Sequence, residues 1–310
     1  MNVPFHRHAA LATGALCLVL AQGCSSSGGS TAPGTPTPKP PGPSPNGNAP
    51  APPTGGHGPA VTYKPVRDAR YRLEHHDSLN LQYEGGAVQQ QVKDRVAFLR
   101  VTLAEGAAQN GYTVSVALDS LDAVESGQPV SPDSVAAARG TVWTGTLSPS
   151  GQLSVLSANR SSTLSDEIGG RIPLLFPALP PGGVREGMEW TDTTQRKVMA
   201  DAFPVTETSI ITYKAAGTEE QGPRQQKAIG LESSGTYSRS GTRVQADQEL
   251  QMTATGTVKE VHQLGLDGAL VSAQGTDSGE MTISVPALGQ TVPVTRASRY
   301  VISPTAPAGR

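Results

Sequence analysis

The chain has 310 residues, of which 35 are Gly and 26 Pro; 36% are hydrophobic, 16% are charged and the formal net charge is −2. That balance excludes the basic footprint of a nucleic-acid binder. The two cysteines, Cys17 and Cys24, both lie near the N-terminus, so a Cys nucleophile, a disulfide framework and Cys-ligated zinc are excluded from everything after them.

Arg7, flanked by His6 and His8, makes a short basic start, and an apolar run from Ala9 to Ala21 follows. A run of about 13 residues fits the core of an export signal and falls short of the ~20 needed to span a bilayer. It ends in Leu20-Ala21-Gln22-Gly23-Cys24. A small residue directly before a cysteine at this place resembles the lipobox of bacterial lipoproteins, with Ala21 where Leu is commoner. The resemblance implies that residues 1–23 are a lipoprotein signal peptide, that cleavage follows Gly23, and that acyl chains on Cys24 hold the protein on a bacterial membrane. Ser25 follows the cysteine instead of Asp. In bacteria with two membranes this favours the outer membrane, facing the periplasm or the cell surface, over the inner one.

Residues 24–60 read as the lipidated cysteine and a tether of Ser, Gly, Thr, Pro, Asn and Ala with Lys39 as its one formal charge. No large side chain is available to offset the entropy of ordering, so disorder is expected. The middle, Pro36-Thr37-Pro38-Lys39-Pro40-Pro41, favours an extended polyproline form.

Residues 61–310 read as one β-rich domain, because apolar and polar residues alternate with a period of two. Tyr71 and Leu73 alternate with Arg70, Arg72 and Glu74; Leu99, Val101 and Leu103 share a face opposite Val96 and Phe98. Tyr112, Val114, Val116 and Leu118 continue to Leu121 across Asp119-Ser120. Strands over 141–147 and 152–156 are expected around the turn Ser148-Pro149-Ser150-Gly151. Further strands are expected at about 189–200, 205–216, 226–238, 244–263, 269–274, 279–285 and 290–303. One segment breaks the period: Leu164, Ile168 and Ile172 recur every four residues, which predicts a short helix over 163–172, with Thr163 and Asp166 capping its start and Pro173 ending it.

Next comes Pro173-Leu174-Leu175-Phe176-Pro177-Ala178-Leu179-Pro180-Pro181, then Val184-Arg185-Glu186-Gly187-Met188-Glu189-Trp190-Thr191. With the lipobox and tether, this Phe-Pro-x-Leu-Pro and Gly-x-x-Trp-Thr pattern resembles a family of uncharacterised bacterial lipoproteins with a β-rich body. The layout is also similar to the periplasmic lipid carriers of the LolA, LolB and LppX kind, whose curved sheet wraps as an unclosed barrel plugged by helices. Alternation and resemblance together give the expected fold: mainly β, a curved antiparallel sheet forming an open or half β-barrel, with one short helix. The prolines forbid a helix or central strand, so Leu174, Leu175, Phe176 and Leu179 must leave water by lying across one face or mouth of the sheet. Two readings of that segment stand, a plug filling the core or one wall of an apolar cavity. On the second, Trp143, Leu164, Ile168, Ile172, Leu175, Phe176, Leu179 and Trp190 line the ligand.

No nucleophile elbow, His-Glu-x-x-His or phosphate-binding Gly-rich loop occurs. Glu74-His75-His76-Asp77 stands out, but along a strand Glu74 and His76 share one face and His75 and Asp77 the other. A metal site there needs help from another strand, and His262 is the only other histidine after residue 61. No catalytic residue, cofactor or metal is expected. The expected function is non-enzymatic binding of a lipid or other apolar ligand by a membrane-anchored lipoprotein. The alternative is a structural or protein-interaction role in the envelope with a filled core. The expected partners are the membrane, through Cys24, and an apolar ligand or envelope protein.

Overall fold

The computed structural model of the chain describes residues 53–83, 86–106, 111–200, 203–221, 226–245 and 247–305. The expected signal peptide, Cys24 and the expected tether as far as residue 52 lie outside them. In chain order the strands are β1 (His57–Val61), β2 (Val66–Gln82), β3 (Val88–Glu105), β4 (Tyr112–Glu125) and β5 (Gln128–Pro129). Helix α1 (Pro132–Ala138), β6 (Val142–Leu147), β7 (Ser157–Ala158), α2 (Thr163–Gly169) and a 3-10 turn (Ile172–Leu175) follow. The second half is β8 (Val184–Glu186), β9 (Glu189–Ala200), β10 (Phe203–Gln221), β11 (Gln226–Gln245), β12 (Gln248–Gly265), β13 (Leu270–Val285) and β14 (Gln290–Pro304).

All but β1 and β8 join one antiparallel sheet in the order β7-β6-β4-β3-β2-β14-β13-β12-β11-β10-β9, with β5 beside β4. The sheet is curved and does not close into a barrel, as alternation and resemblance together led us to expect. Its two halves join in the interior of the sheet, where the C-terminal strand β14 returns to pair with β2. Strands here are long. The 20 residues of β11 span roughly 65 Å at the usual rise.

Several boundaries differ from the sequence reading. The ordered body takes in residues ahead of Val61, because β1 pairs with β8 and Thr54 exchanges two backbone hydrogen bonds with Glu189, each 3.0 Å. Residues 152–156 make only an isolated bridge, Leu147 with Leu153. The gap expected near residue 276 is absent: β13 runs unbroken through Gly275 and Gly279. Those glycines seat aromatic rings. A Cβ on Gly275 would lie 2.5 Å from the Tyr300 ring, and one on Gly279 2.8 Å from the Tyr237 hydroxyl. A second helix, α1, is present: Ser131 caps it by accepting from the Ser134 N–H, and Pro132 occupies its first turn, a start that suits proline. The cap of α2 is Ser162 with Ser165 in a reciprocal box, one residue ahead of the expected Thr163.

The register sorts side chains into an inner and an outer face. Inner residues form two apolar clusters at opposite ends of the long strands. One gathers Leu73, Leu99, Val101, Val116, Leu118 and Leu121 under α2 and the proline segment. The other joins Leu79 and Leu81 of β2 to Phe203 and Val205 of β10 across the intervening strands. Val294 of β14, Met281 and Val285 of β13 and Leu250 and Met252 of β12 make it continuous from strand to strand. No helix among the described residues is long and apolar enough to cross a membrane.

Candidate functional site

The residues expected to line an apolar cavity are brought together. Trp143, Leu164, Ile168, Ile172, Leu175, Phe176, Leu179 and Trp190 are all buried and belong to one cluster. They touch the sheet closely. A Cβ on Gly169 would lie 2.7 Å from the Trp143 ring nitrogen, so glycine lets α2 approach the indole. Trp190 stacks on Tyr213 with centroids 5.1 Å apart and planes 6° from parallel. Phe176 meets Tyr63 edge-on at 6.0 Å. The void beside Leu175 and Phe176, lined also by Tyr63, Tyr71, Val101 and Leu103, holds about 20 Å³. That is room for one water molecule and far below the ~300 Å³ and more of small-molecule pockets.

Polar side chains tie the proline segment down. The Tyr63 hydroxyl donates to the Pro177 carbonyl at 2.8 Å, Tyr112 donates to the Tyr63 carbonyl at 2.8 Å, and the His262 ring lies 3.1 Å from the Leu174 carbonyl. Burial pushes the Tyr63 phenol well up, so it stays a donor. Burial pulls the His262 imidazole down from its ordinary 6.5, against Glu260 and the Leu174 carbonyl, which raise it. His262 thus serves the plug. No hydrogen bond or ion pair joins it to His75, which lies three strands away on β2, and the described residues contain no group of three His, Cys, Asp or Glu able to hold a metal.

The Glu74-His75-His76-Asp77 segment splits between faces as alternation requires. Glu74 pairs with Arg72 outside, where the His76 ring also lies 2.6 Å from Asp94. His75 and Asp77 point inward and are buried. Asp77 anchors a belt of charges between the two apolar clusters. It accepts from Arg171 at 2.8 Å and Arg296 at 3.0 Å. Arg171 also pairs with Glu167 at 3.3 Å. Glu167 accepts in turn from Arg95, whose buried guanidinium pairs with Glu125 and donates to the Val124 carbonyl at 2.9 Å. Arg296 continues to Asp277 at 3.2 Å, and Asp277 accepts from Tyr237 at 2.7 Å. The Arg239 guanidinium lies 4.1 Å over the Tyr237 ring and shares Glu207 with Arg196.

These guanidiniums match the carboxylates one for one, with His75 neutral. Burial, joined by the positive field of Arg171, holds His75 down at about 3 despite Asp77. Burial alone would raise Asp77, but the guanidiniums of Arg296 and Arg171 outweigh it and hold the carboxyl below its usual range. Glu207 is lowered likewise against its burial, by Arg196 and Arg239. A neutral belt with its charges mutually engaged is framework rather than an acid–base pair set apart for proton transfer. Sequence reasoning missed it, although Arg95 continues the inward run of Ala97, Leu99 and Val101, and Asp77 that of Tyr71, Leu73 and His75.

The opposite face carries an open groove of about 780 Å³ across β10 to β14. Its lining is rich in hydroxyls: Thr208, Thr236, Ser238, Thr255, Thr257 and Ser278, with Ile210 and the carboxylate of Glu280 among them. Gly256 and Gly279 back it, and the ring of Tyr237 lies against them from inside. Hydroxyls both donate and accept, so this surface suits a neutral polar partner. It holds no histidine. No protein-family model and no curated protein matches this chain.

Proposed function

We propose that this chain is a membrane-anchored bacterial lipoprotein that works without catalysis, through its outer surface in the cell envelope. Acyl chains on Cys24 hold it, residues 24–52 space it from the lipid, and the β domain meets a protein or other polar component of the envelope. The observation that supports this over interior ligand carriage is the filling of the predicted cavity. Its eight expected lining residues are all buried in one apolar cluster, and the void beside Leu175 and Phe176 holds only about 20 Å³. Burial of each Leu, Ile or Phe there contributes roughly 1.5–3 kcal/mol, so the proline segment is accounted for as a plug.

The anchor has a direct test. Attachment gains ~0.8 kcal/mol for each buried methylene, and more than one acyl chain makes it durable. In a bacterial host, Cys24→Ala is expected to move the protein from the membrane fraction to the soluble exported one. Retention of Cys24→Ala on membranes washed in high salt would overturn the lipid anchor.

A further inference from the structure

The two ends of the large sheet are unlike. At one, β7 is only two residues long. At the other, β9 runs for 12 residues and pairs only with β10. Beyond the Thr54 bridge at Glu189, no backbone group of another described strand bonds to β9 from its free side; the outward Thr193 N–H is met only by the Asp192 side chain. Glu189 shows which backbone groups face that side, since both its N–H and its carbonyl bond to Thr54. Backbone direction alternates along a strand, so the N–H and carbonyl groups of Thr191, Thr193, Gln195 and Lys197 point outward as well. Natural proteins blunt long edges with prolines, bulges, lysines or inward-pointing charges, and the devices β9 carries are its charges, Asp192, Arg196 and Lys197. Between Thr191 and Val198 β9 has no proline and pairs with β10 without a register shift.

Its charges are arranged in a particular way. Asp192 and Arg196 share the inner face with Thr194 between them. Asp192 is half-buried and has no cationic partner; burial raises its carboxyl and only the Thr193 N–H opposes this. Arg196 is 52% exposed and shares its carboxylate, Glu207, with the better-buried Arg239. The edge therefore presents an uncompensated anion and a partly redundant cation four residues apart.

We propose that β9 pairs antiparallel with β9 of a second copy of this chain, about a two-fold axis through Thr194. In that register Asp192 faces the partner's Arg196, Thr193 faces the partner's Gln195 and Thr191 faces the partner's Lys197. The outward backbone groups are those of Thr191, Thr193, Gln195 and Lys197, so the hydrogen-bonded pairs fall where the donors and acceptors point. Shifting the register by two residues sets Asp192 against Thr194 or Val198 and loses the charge match. The Thr54 bridge limits the new ladder to residues 191–197, an ordinary strand length. A two-fold contact of this kind closes on itself and does not propagate.

The test is disulfide trapping in the full-length protein on its membrane. Thr194 lies on the axis in a non-hydrogen-bonded pair, where Cα atoms sit roughly 4.5 Å apart and a disulfide is accommodated. Thr194→Cys is expected to give a covalent dimer on mild oxidation, with much lower yields from Thr193→Cys and Gln195→Cys. Adding Asp192→Lys to Thr194→Cys sets like charges together at two symmetric positions and is expected to cut the yield roughly tenfold. A strong Thr193→Cys or Gln195→Cys dimer would overturn the register. A Thr194→Cys adduct with a different protein would overturn the choice of a second copy. No Thr194→Cys adduct, with the detergent-extracted chain monomeric by light scattering, would overturn the pairing itself.

Discussion

Asp77→Ala is expected to destabilise the domain by about 3–5 kcal/mol, the usual cost of removing one partner from a buried ionic network. The Asp77 side chain is 4% exposed and holds Arg171 through one oxygen and Arg296 through the other. Without it Arg171 keeps only Glu167, and Arg296 leans on Asp277, while both remain near the belt's centre. The plug suffers too, because Arg171 sits between α2 and the 3-10 turn that carries Ile172 and Leu175. Denaturant midpoints of Asp77→Ala and the parent measure the loss, and a change within about 0.5 kcal/mol, the level of an ordinary surface substitution, would contradict the belt's structural role. The belt also fixes an acid sensitivity. Unfolded His75 takes a proton near its ordinary 6.5, whereas the folded residue does so only near 3. Between those values the unfolded chain binds more protons, so stability falls as pH drops from about 6.5 toward 3. Asp77 and Glu207, both lowered in the fold, add further loss below their ordinary values. His75→Gln should flatten the decline between pH 6.5 and 5, and an unchanged slope would show that His75 does not set it.

Gly235→Ala is expected to cost at least the ~1–3 kcal/mol typical of overpacking. Gly235 faces inward on β11, and a Cβ there would overlap the Ile210 carbonyl oxygen and lie 2.8 Å from the Ile211 Cα. These are backbone atoms of β10, so no side-chain rotation relieves the clash and the strand pairing must shift. The adjacent residue supplies the control. Thr236 points to the outer, exposed face, and Thr236→Ala should stay within about 0.5 kcal/mol. Hydrogen exchange should report faster opening of the β9–β10 hairpin in Gly235→Ala alone. Equal stability of the two variants would show that the close β10–β11 approach is not held by this glycine.

Period-two alternation made most strands legible, because half-buried sheets impose that pattern on the sequence. Even the phase slip was visible: Val116 and Leu118 lie two apart, then Leu121 and Ala123 resume three residues later, and β4 has its register shift there, Leu99 facing Leu118 and Ala97 facing Leu121. Glycine misled the reading where it marks close packing instead of a turn. Gly275 and Gly279 lie against Tyr300 and Tyr237 in mid-strand. Helix α1 was missed because seven residues give too little periodicity, although Ser131-Pro132 carries a start signal. The eight apolar residues picked out as a group do meet, yet their sequence could not say whether they enclose a space or fill one. That depends on Tyr63 and His262 reaching the proline segment from positions distant in sequence, with Tyr112 holding the Tyr63 backbone. The charged belt was hidden for the same reason, since Asp77 and Arg296, 219 residues apart, meet only through the pairing of β2 with β14, and Arg171 reaches them from the segment after α2.

The central claim is that the interior is full and the outer surface does the work. The most direct measurement is organic-solvent extraction of the soluble Cys24→Ala protein, purified from a bacterial periplasm, with mass spectrometry of what is released. The account predicts no apolar molecule in stoichiometric amount. Recovery of one lipid or fatty acid per chain would contradict it and return the segment from Pro173 to Pro181 to the role of a cavity wall.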